Sequence, residues 1–430
     1  MGTFWHSFAD MAAVDSGGEL VIDHGEGAHV WDEHGRRYLD ATAALWYCNV
    51  GYGREEIADA AHRQMVRLSA YSTFGDQSNR PAIELAERVG RLAPVPDSKV
   101  FLTSGGSDSI ETATKMARRY WQLRGETERT LLVTRQHAYH GMHVAGTSLA
   151  GIEANAAGHG PLVGDVVKIA WDSPAALRDA IAAAGPERVA AFFCEPVIGA
   201  GGVFAPPEGY LAEVRAICRE TGVLFVADEV ITGFGRLGGW FASERYDIRP
   251  DLVTSAKGLS SAHASIGAVI ASERVMEPFL EGHAMYMHGI TFGGHPVQAA
   301  IALANIEIMR RERLVEHVAA EQDTFRDTLA QLLDLPIVGD LRGTGFFYAL
   351  ELVKDKETRE TFSEDECETL LRDFLSPRLF EAGLICRADD RGDPVVQISP
   401  PLVAEQAQFD EIVSILGDVL TEAWDHVSPR

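Results

Sequence analysis

Lysine is scarce in this chain. It occurs only at positions 99, 115, 168, 257, 354 and 356, whereas arginine is plentiful. A position that needs only positive charge can use either residue, so the lysine in DLVTSAKGLSSA (251–262) draws attention to its amine. Cysteine is also scarce. The five cysteines are odd in number and widely spaced, with no C-x-x-C pair. This argues against a disulfide framework and fits reduced thiols in a cytoplasmic protein. No apolar run approaches the roughly 20 residues of a membrane span. The first residues lack a basic stretch followed by an apolar one, so no signal peptide is expected. There is no basic excess either. A net charge of −25 argues against nucleic acid or an anionic membrane as partner. The small-residue turn TSGGSDS (103–109) matches neither the Walker A pattern nor G-x-G-x-x-G, so nucleotide-binding motifs lose ground, and a serine triad finds no G-x-S-x-G elbow. Internal repeats and low-complexity tracts are missing as well.

The chain has 430 residues, 46% of them hydrophobic, enough for one large catalytic unit with a smaller one beside it. Apolar, strand-like runs alternate with helical patterns through the middle: KVFLT (99–103), RTLLVT (129–134), VAAFFCEPV (189–197), VLFVADEV (223–230) and DLVTSAK (251–257). Helical patterns occupy 108–124 and 208–222, the second closed by a glycine. Continuous apolar strands separated by helices predict an α/β unit with a mostly parallel sheet. The ends read differently. Residues 26–40 predict a hairpin, 295–333 one long or broken helix, 343–352 and 395–400 strands, and 404–425 a helix. The expected organisation is an N-terminal segment (1–60) packing with the small domain, a large domain (61–320) and a C-terminal α+β domain (321–430).

Several stretches carry candidate chemistry. TSGGSDS (103–109) follows a strand and opens a helix, where converging N–H groups favour an anion; its bland alternative is a flexible turn. Asp228, at the carboxyl end of a buried strand, is placed as ligand-binding residues are in open α/β sheets, and Val230 shares its face. Lys257 has the same placement. Read alone it is an exposed strand end or a Schiff-base lysine, chemistry that arginine cannot do. In HAYHG (137–141), Tyr139 can stack on a flat ring or simply pack, and His140 fits a polar pocket. His137, His140 and His143 lack an acidic or thiol ligand nearby, so no metal site is expected. CEPVIGAGG (194–202) joins a strand-end Glu195 to a glycine-rich loop. A phosphate turn, a stacking tyrosine, a strand-end aspartate and a strand-end lysine, in that order, match what pyridoxal 5′-phosphate (PLP) requires.

Seven ordered blocks then carry a resemblance over nearly the whole chain. They are LDATAALWYCNVGYG, FLTSGGSDSIETATKMARRYW, AYHGMH, EPVIGAGGVFAPPEGY, LFVADEVITGFGRLGGWFASERYDIRPDLVTSAKGL, HGITFGGHPVQAA and ISPPL. The sequence resembles a class III, fold-type I PLP-dependent aminotransferase, most of all the ω-amino acid or amine:pyruvate branch. The resemblance implies a homodimer with shared active sites, leaving dimer or tetramer open, and a ping-pong transfer from an amine or ω-amino acid to a keto acid such as pyruvate. It implies that Lys257 holds the cofactor as a Schiff base and shuttles a proton, and that Asp228 pairs with the pyridine nitrogen. Tyr139 and Val230 would cover the ring faces, Gly106 and Ser107 would bind the phosphate, and Thr291 would reach the partner subunit's phosphate. Arg387 matches a mobile carboxylate-binding arginine, Trp46 a pocket-wall aromatic, and Glu195 a glutamate near the cofactor. Some positions depart from the commonest pattern: Asp108 replaces a glutamate, Ile231 a glutamine, and SSAHASIGAV the glycine-proline-leucine-glycine form. The longer RADDRGDPVV adds Arg391, leaving open which arginine meets the carboxylate. A PLP lyase, decarboxylase or aminomutase shares the same motifs. A PLP-binding regulatory protein would lack only the catalysis.

Overall fold

The computed structural model describes residues 3–389 and 393–427; Arg391 lies outside them. Seven strands form the central sheet, in the order Lys99–Thr103, Gly267–Ala271, Leu252–Ser255, Leu224–Asp228, Val189–Cys194, Leu131–Arg135, Val166–Ile169. From Leu252–Ser255 to Val166–Ile169 all neighbours are parallel. Gly267–Ala271 runs antiparallel to both of its neighbours. The fold is α/β, as the apolar runs predict. The antiparallel strand within IGAVIA is the element that the alternating pattern does not reveal.

Successive residues of a strand point to opposite faces, and the two faces bury different partners. Val133, Phe192, Phe225 and Val253 join Leu177, Ile181, Val214 and Ile217 from helices Pro174–Ala184 and Tyr210–Thr221. Leu132, Phe193, Val226 and Leu252 join Ile110, Met116, Tyr120 and Trp121 from helix Gly106–Leu123. At roughly 1.5–3 kcal/mol for each large apolar side chain fully buried, these two layers hold the carboxyl ends of the parallel strands in a rigid row.

The predicted hairpin at 26–40 forms strands His29–Asp32 and Arg37–Asp40, and Arg37–Asp40 pairs in parallel with Leu384–Ile385. The long helical pattern breaks into Pro296–Arg311 and Leu314–Ala330, with Arg313 between them in the left-handed region at φ +54°. A second, antiparallel sheet has the order Val338–Thr344, Phe347–Leu352, Val395–Ile398, Arg387–Asp389. Helix Gln406–Val427 closes the chain's described part.

One buried guanidinium joins these parts. Arg236 is fully buried and donates to the carbonyls of Phe346 and Pro400 and to Asn49 Oδ1 (2.8 Å). Burial pulls its pKa down to about 9. Among the described residues no helix is long and apolar enough to cross a membrane.

Candidate active site

At the carboxyl ends of the central strands lies a cavity of about 300 Å³, lined in part by Gly106, Ser107, Tyr139, Glu195, Asp228, Val230 and Lys257. Seven sequence-predicted site residues thus meet in one place, though they are spread over some 150 positions of the chain. Each arrives for a local reason. Helix Gly106–Leu123 begins straight after strand Lys99–Thr103, and its N-cap, Gly105, has no side chain to satisfy the first N–H groups. Those donors and the positive end of the helix dipole face the cavity, a ready anion site. The loop after strand Leu131–Arg135 closes over the turn: Met142 N–H donates to Ser107 Oγ (3.2 Å). That approach requires Gly141, which has φ +85°; a Cβ there would stand 2.4 Å from Ser107 Oγ.

Asp228 ends its strand buried and firmly held. Its Oδ1 accepts from Thr254 Oγ1 (3.0 Å) and Val230 N–H (3.2 Å). Its Oδ2 lies 2.7 Å from Nδ1 of buried His140. A carboxylate only accepts, so His140 takes the tautomer that donates from Nδ1. These bonds orient the carboxylate toward the cavity it lines. Glu195 is fixed in a similar way by the N–H groups of Tyr139 and Gly199, both at 3.0 Å. Burial raises its pKa against those two donors.

Lys257 follows strand Leu252–Ser255 at φ +38°, in a backbone region that disfavours a residue with a Cβ. Strain of this kind is retained where surrounding structure enforces it. Its amine opens onto the cavity, and desolvation draws its pKa down to about 8 against the opposing pull of Asp228 and Glu195. The shift sets a sign. Above about pH 8 the folded chain carries a neutral, nucleophilic amine; between that value and 10.5 the unfolded chain still holds the proton. The penalty for burying this group is therefore full below about 8 and fades as pH rises toward 10.5. The rate at which cofactor-free protein captures an aldehyde, followed by absorbance, is expected to rise through pH 8 and level off near 9. A rate still climbing at pH 10 would contradict the shift.

Trp46 and Arg387 flank the cavity without lining it. The Trp46 ring lies 5.5 Å from Lys257 Nζ, and the Arg387 guanidinium lies 5.0 Å over the same ring. Arg387 pairs with Asp389 and lines a wider cavity of about 970 Å³ with Phe8, Met142 and Glu153. Thr291 is at the surface, outside the cavity, beside exposed Phe292.

Sequence reasoning left His140 without its partner and Thr254 without a role. The HAYHG stretch signals a histidine, but its aspartate is 88 positions away. The SSAHASIG stretch also gains a place: Ser260, Ala262, Ala264, Ser265 and Ile266 line the cavity wall. Ser261 Oγ accepts from Val50 N–H (3.2 Å). Gly267, at its end, lets the antiparallel strand approach the turn that opens helix Gly106–Leu123, since a Cβ there would meet Thr103 Oγ1 at 2.4 Å and the Gly105 carbonyl at 2.7 Å. Among the described residues no group of three or more metal-ligating side chains converges.

Comparison with known proteins bears on the family and the fold. The family described as "Aminotransferase class-III" matches residues 11–420. A probable aminotransferase of Mycobacterium tuberculosis is 45% identical over 94% of this chain and 90% of its own length. A putrescine–pyruvate aminotransferase of Pseudomonas aeruginosa is 40% identical over 96% of this chain and 93% of its own. The crystal structure of a transaminase from the marine bacterium Virgibacillus superposes with a TM-score of 0.95 at 36% identity, covering 99% of this chain and 98% of that one.

Proposed function

The chain belongs to the class-III aminotransferases, and from that membership we propose that it moves an amino group from an amine or ω-amino acid to pyruvate in two alternating half-reactions. Enzymes of this family use pyridoxal phosphate, and the residues present fit it. The uncapped helix start with Ser107 suits the phosphate, and the buried, hydrogen-bonded Asp228 suits a protonated ring nitrogen. Tyr139 and Val230 offer a flat and an apolar surface for the ring, and Lys257 offers the amine that holds the aldehyde. When bound, the cofactor supplies a carbonyl that condenses with amines and a ring that accepts the electron pair released at the substrate carbon.

The chain's own groups do the rest. Asp228, fixed on three sides, keeps a negative charge where the ring nitrogen needs its proton. Lys257 Nζ, whose pKa desolvation lowers to about 8, takes the proton from the substrate carbon in its neutral form and returns it. Glu195 holds the backbone of Tyr139 in place. Arg387 and Trp46 select the substrate: a cation for a keto acid's carboxylate, and an indole for the apolar body of an amine lacking one. The observation that carries the acceptor assignment is Arg387 lying over Trp46, beside Lys257, on a strand separate from the cofactor residues.

Exposed Phe74, Met285 and Met287 line one cavity with Ile290 and Gly293, the chain neighbours of Thr291 and exposed Phe292. A surface this apolar favours a second copy of the chain, whose phosphate site Thr291 would then complete.

The test is a panel of amine donors with pyruvate or 2-oxoglutarate as acceptor, measuring alanine formed against amine consumed. One alanine per amine supports the reading; preference for 2-oxoglutarate would remove it. Arg387→Ala is expected to raise the KM for pyruvate at least about tenfold, as loss of a charge-assisted pair does. Its kcat/KM for the amine donor should stay within threefold.

A further inference from the structure

Across the small sheet, one row of residues lies on one face. Arg342 is opposite Ala349, Ala349 opposite Gln397, and Gln397 opposite Arg387. Directly opposed residues of antiparallel strands project to the same side, with Cβ atoms about 5 Å apart. The face is the one turned to the active site, because Ala349 and Val395 pack with Trp46 and Ile231. Gln397 is 0% exposed, and neither its Oε1 nor its Nε2 has a protein partner. A buried primary amide without partners is unusual, since such groups are almost always hydrogen-bonded. The neighbouring row on this face holds Asp389, and Arg387 Nε is paired with it. Trp46 Nε1, under the Arg387 guanidinium, also lacks a partner.

We infer that Gln397 is a positioning residue for Arg387: its side-chain carbonyl accepts a guanidinium N–H when Arg387 leaves Asp389 to meet a substrate carboxylate. Arg387 then has two stations on the same face, one row apart. Asp389 holds it while an amine without a carboxylate occupies the site. Gln397 aligns it for an acid, accepting one N–H while the others face the carboxylate. A neutral amide suits this task, since it orients the cation without competing for it as a second carboxylate would. The inference rests on the role proposed above for Arg387 in carboxylate binding.

The test compares wild type, Arg387→Ala, Gln397→Met and Gln397→Glu as holoenzymes, measuring pyruvate KM, single-turnover kcat/KM for the amine donor, and Tm. Methionine fills the same volume without polar atoms, so a merely structural glutamine predicts an unchanged or higher Tm and unchanged kinetics. Positioning predicts the same Tm behaviour with a pyruvate KM raised at least threefold and amine kcat/KM within twofold. Gln397→Glu, which would trap the guanidinium, should raise pyruvate KM further, and this variant decides the matter if Gln397→Met does not fold. A pyruvate KM within threefold of wild type in the folded variants, while Arg387→Ala raises it, overturns this inference alone. No effect of Arg387→Ala overturns the reading of Arg387 and this inference with it.

Discussion

Replacing Lys257 with alanine is expected to lower turnover by at least about 10,000-fold, the scale on which loss of a covalent catalytic group acts. The protein should still bind pyridoxal phosphate through the helix start and Asp228, with the spectrum of a free aldehyde and no shift on adding protein. Stability should rise. The variant removes an amine whose desolvation lowers its pKa to about 8, while the left-handed backbone at φ +38° stays strained because alanine keeps the Cβ. Retention of ordinary turnover would end the assignment of Lys257. A drop in Tm with loss of cofactor binding would mean that the residue braces the fold instead.

The second large effect is expected at Asp228. Asparagine has the same shape and can still accept from Thr254 Oγ1 and Val230 N–H, so the variant should fold. It cannot hold a negative charge beside the ring nitrogen. Loss of a preorganised electrostatic partner of this kind typically lowers kcat about 100- to 1,000-fold. Cofactor affinity should fall as well. His140→Ala would act in the same direction more weakly, because Asp228 keeps two of its three contacts. Activity of Asp228→Asn within threefold of wild type would show that the carboxylate does not govern the ring's protonation.

The central strands and the site were legible in the sequence to different depths. Strands such as 189–194 and 224–228 announced themselves because burial on both faces leaves no polar alternation to confuse with a helix. Lys257, Asp228 and Tyr139 were legible through their position after such strands, where side chains reach a common crevice. The antiparallel strand at 267–271 was not. It follows a polar, small-residue stretch without a helix before it, and its pairing with 99–103 joins residues far apart in the chain. The bond between His140 and Asp228 was hidden for the same reason: its two ends belong to different strand–loop units. Gln397 gave no local sign, since an isolated glutamine in VVQISP reads as a solvent-facing strand position. Only the register, with Arg387 on one side and Ala349 on the other, turns it inward.

Arg236 has a consequence for how the molecule can adapt. Among the described residues no carboxylate touches it; its buried charge is held by two carbonyls and an amide from segments near 49, 346 and 400. Its Nε already has no partner, so losing one of these acceptors strips the desolvated cation further, at a cost of about 1–3 kcal/mol for each bond lost. The three bonds to three segments make the guanidinium a rivet between them. On the function proposed above, a frame fastened in this way favours meeting donor and acceptor with side chains, not by reshaping the backbone. On that same reading, Arg387 is the side chain that changes place, over the wall that Trp46 forms.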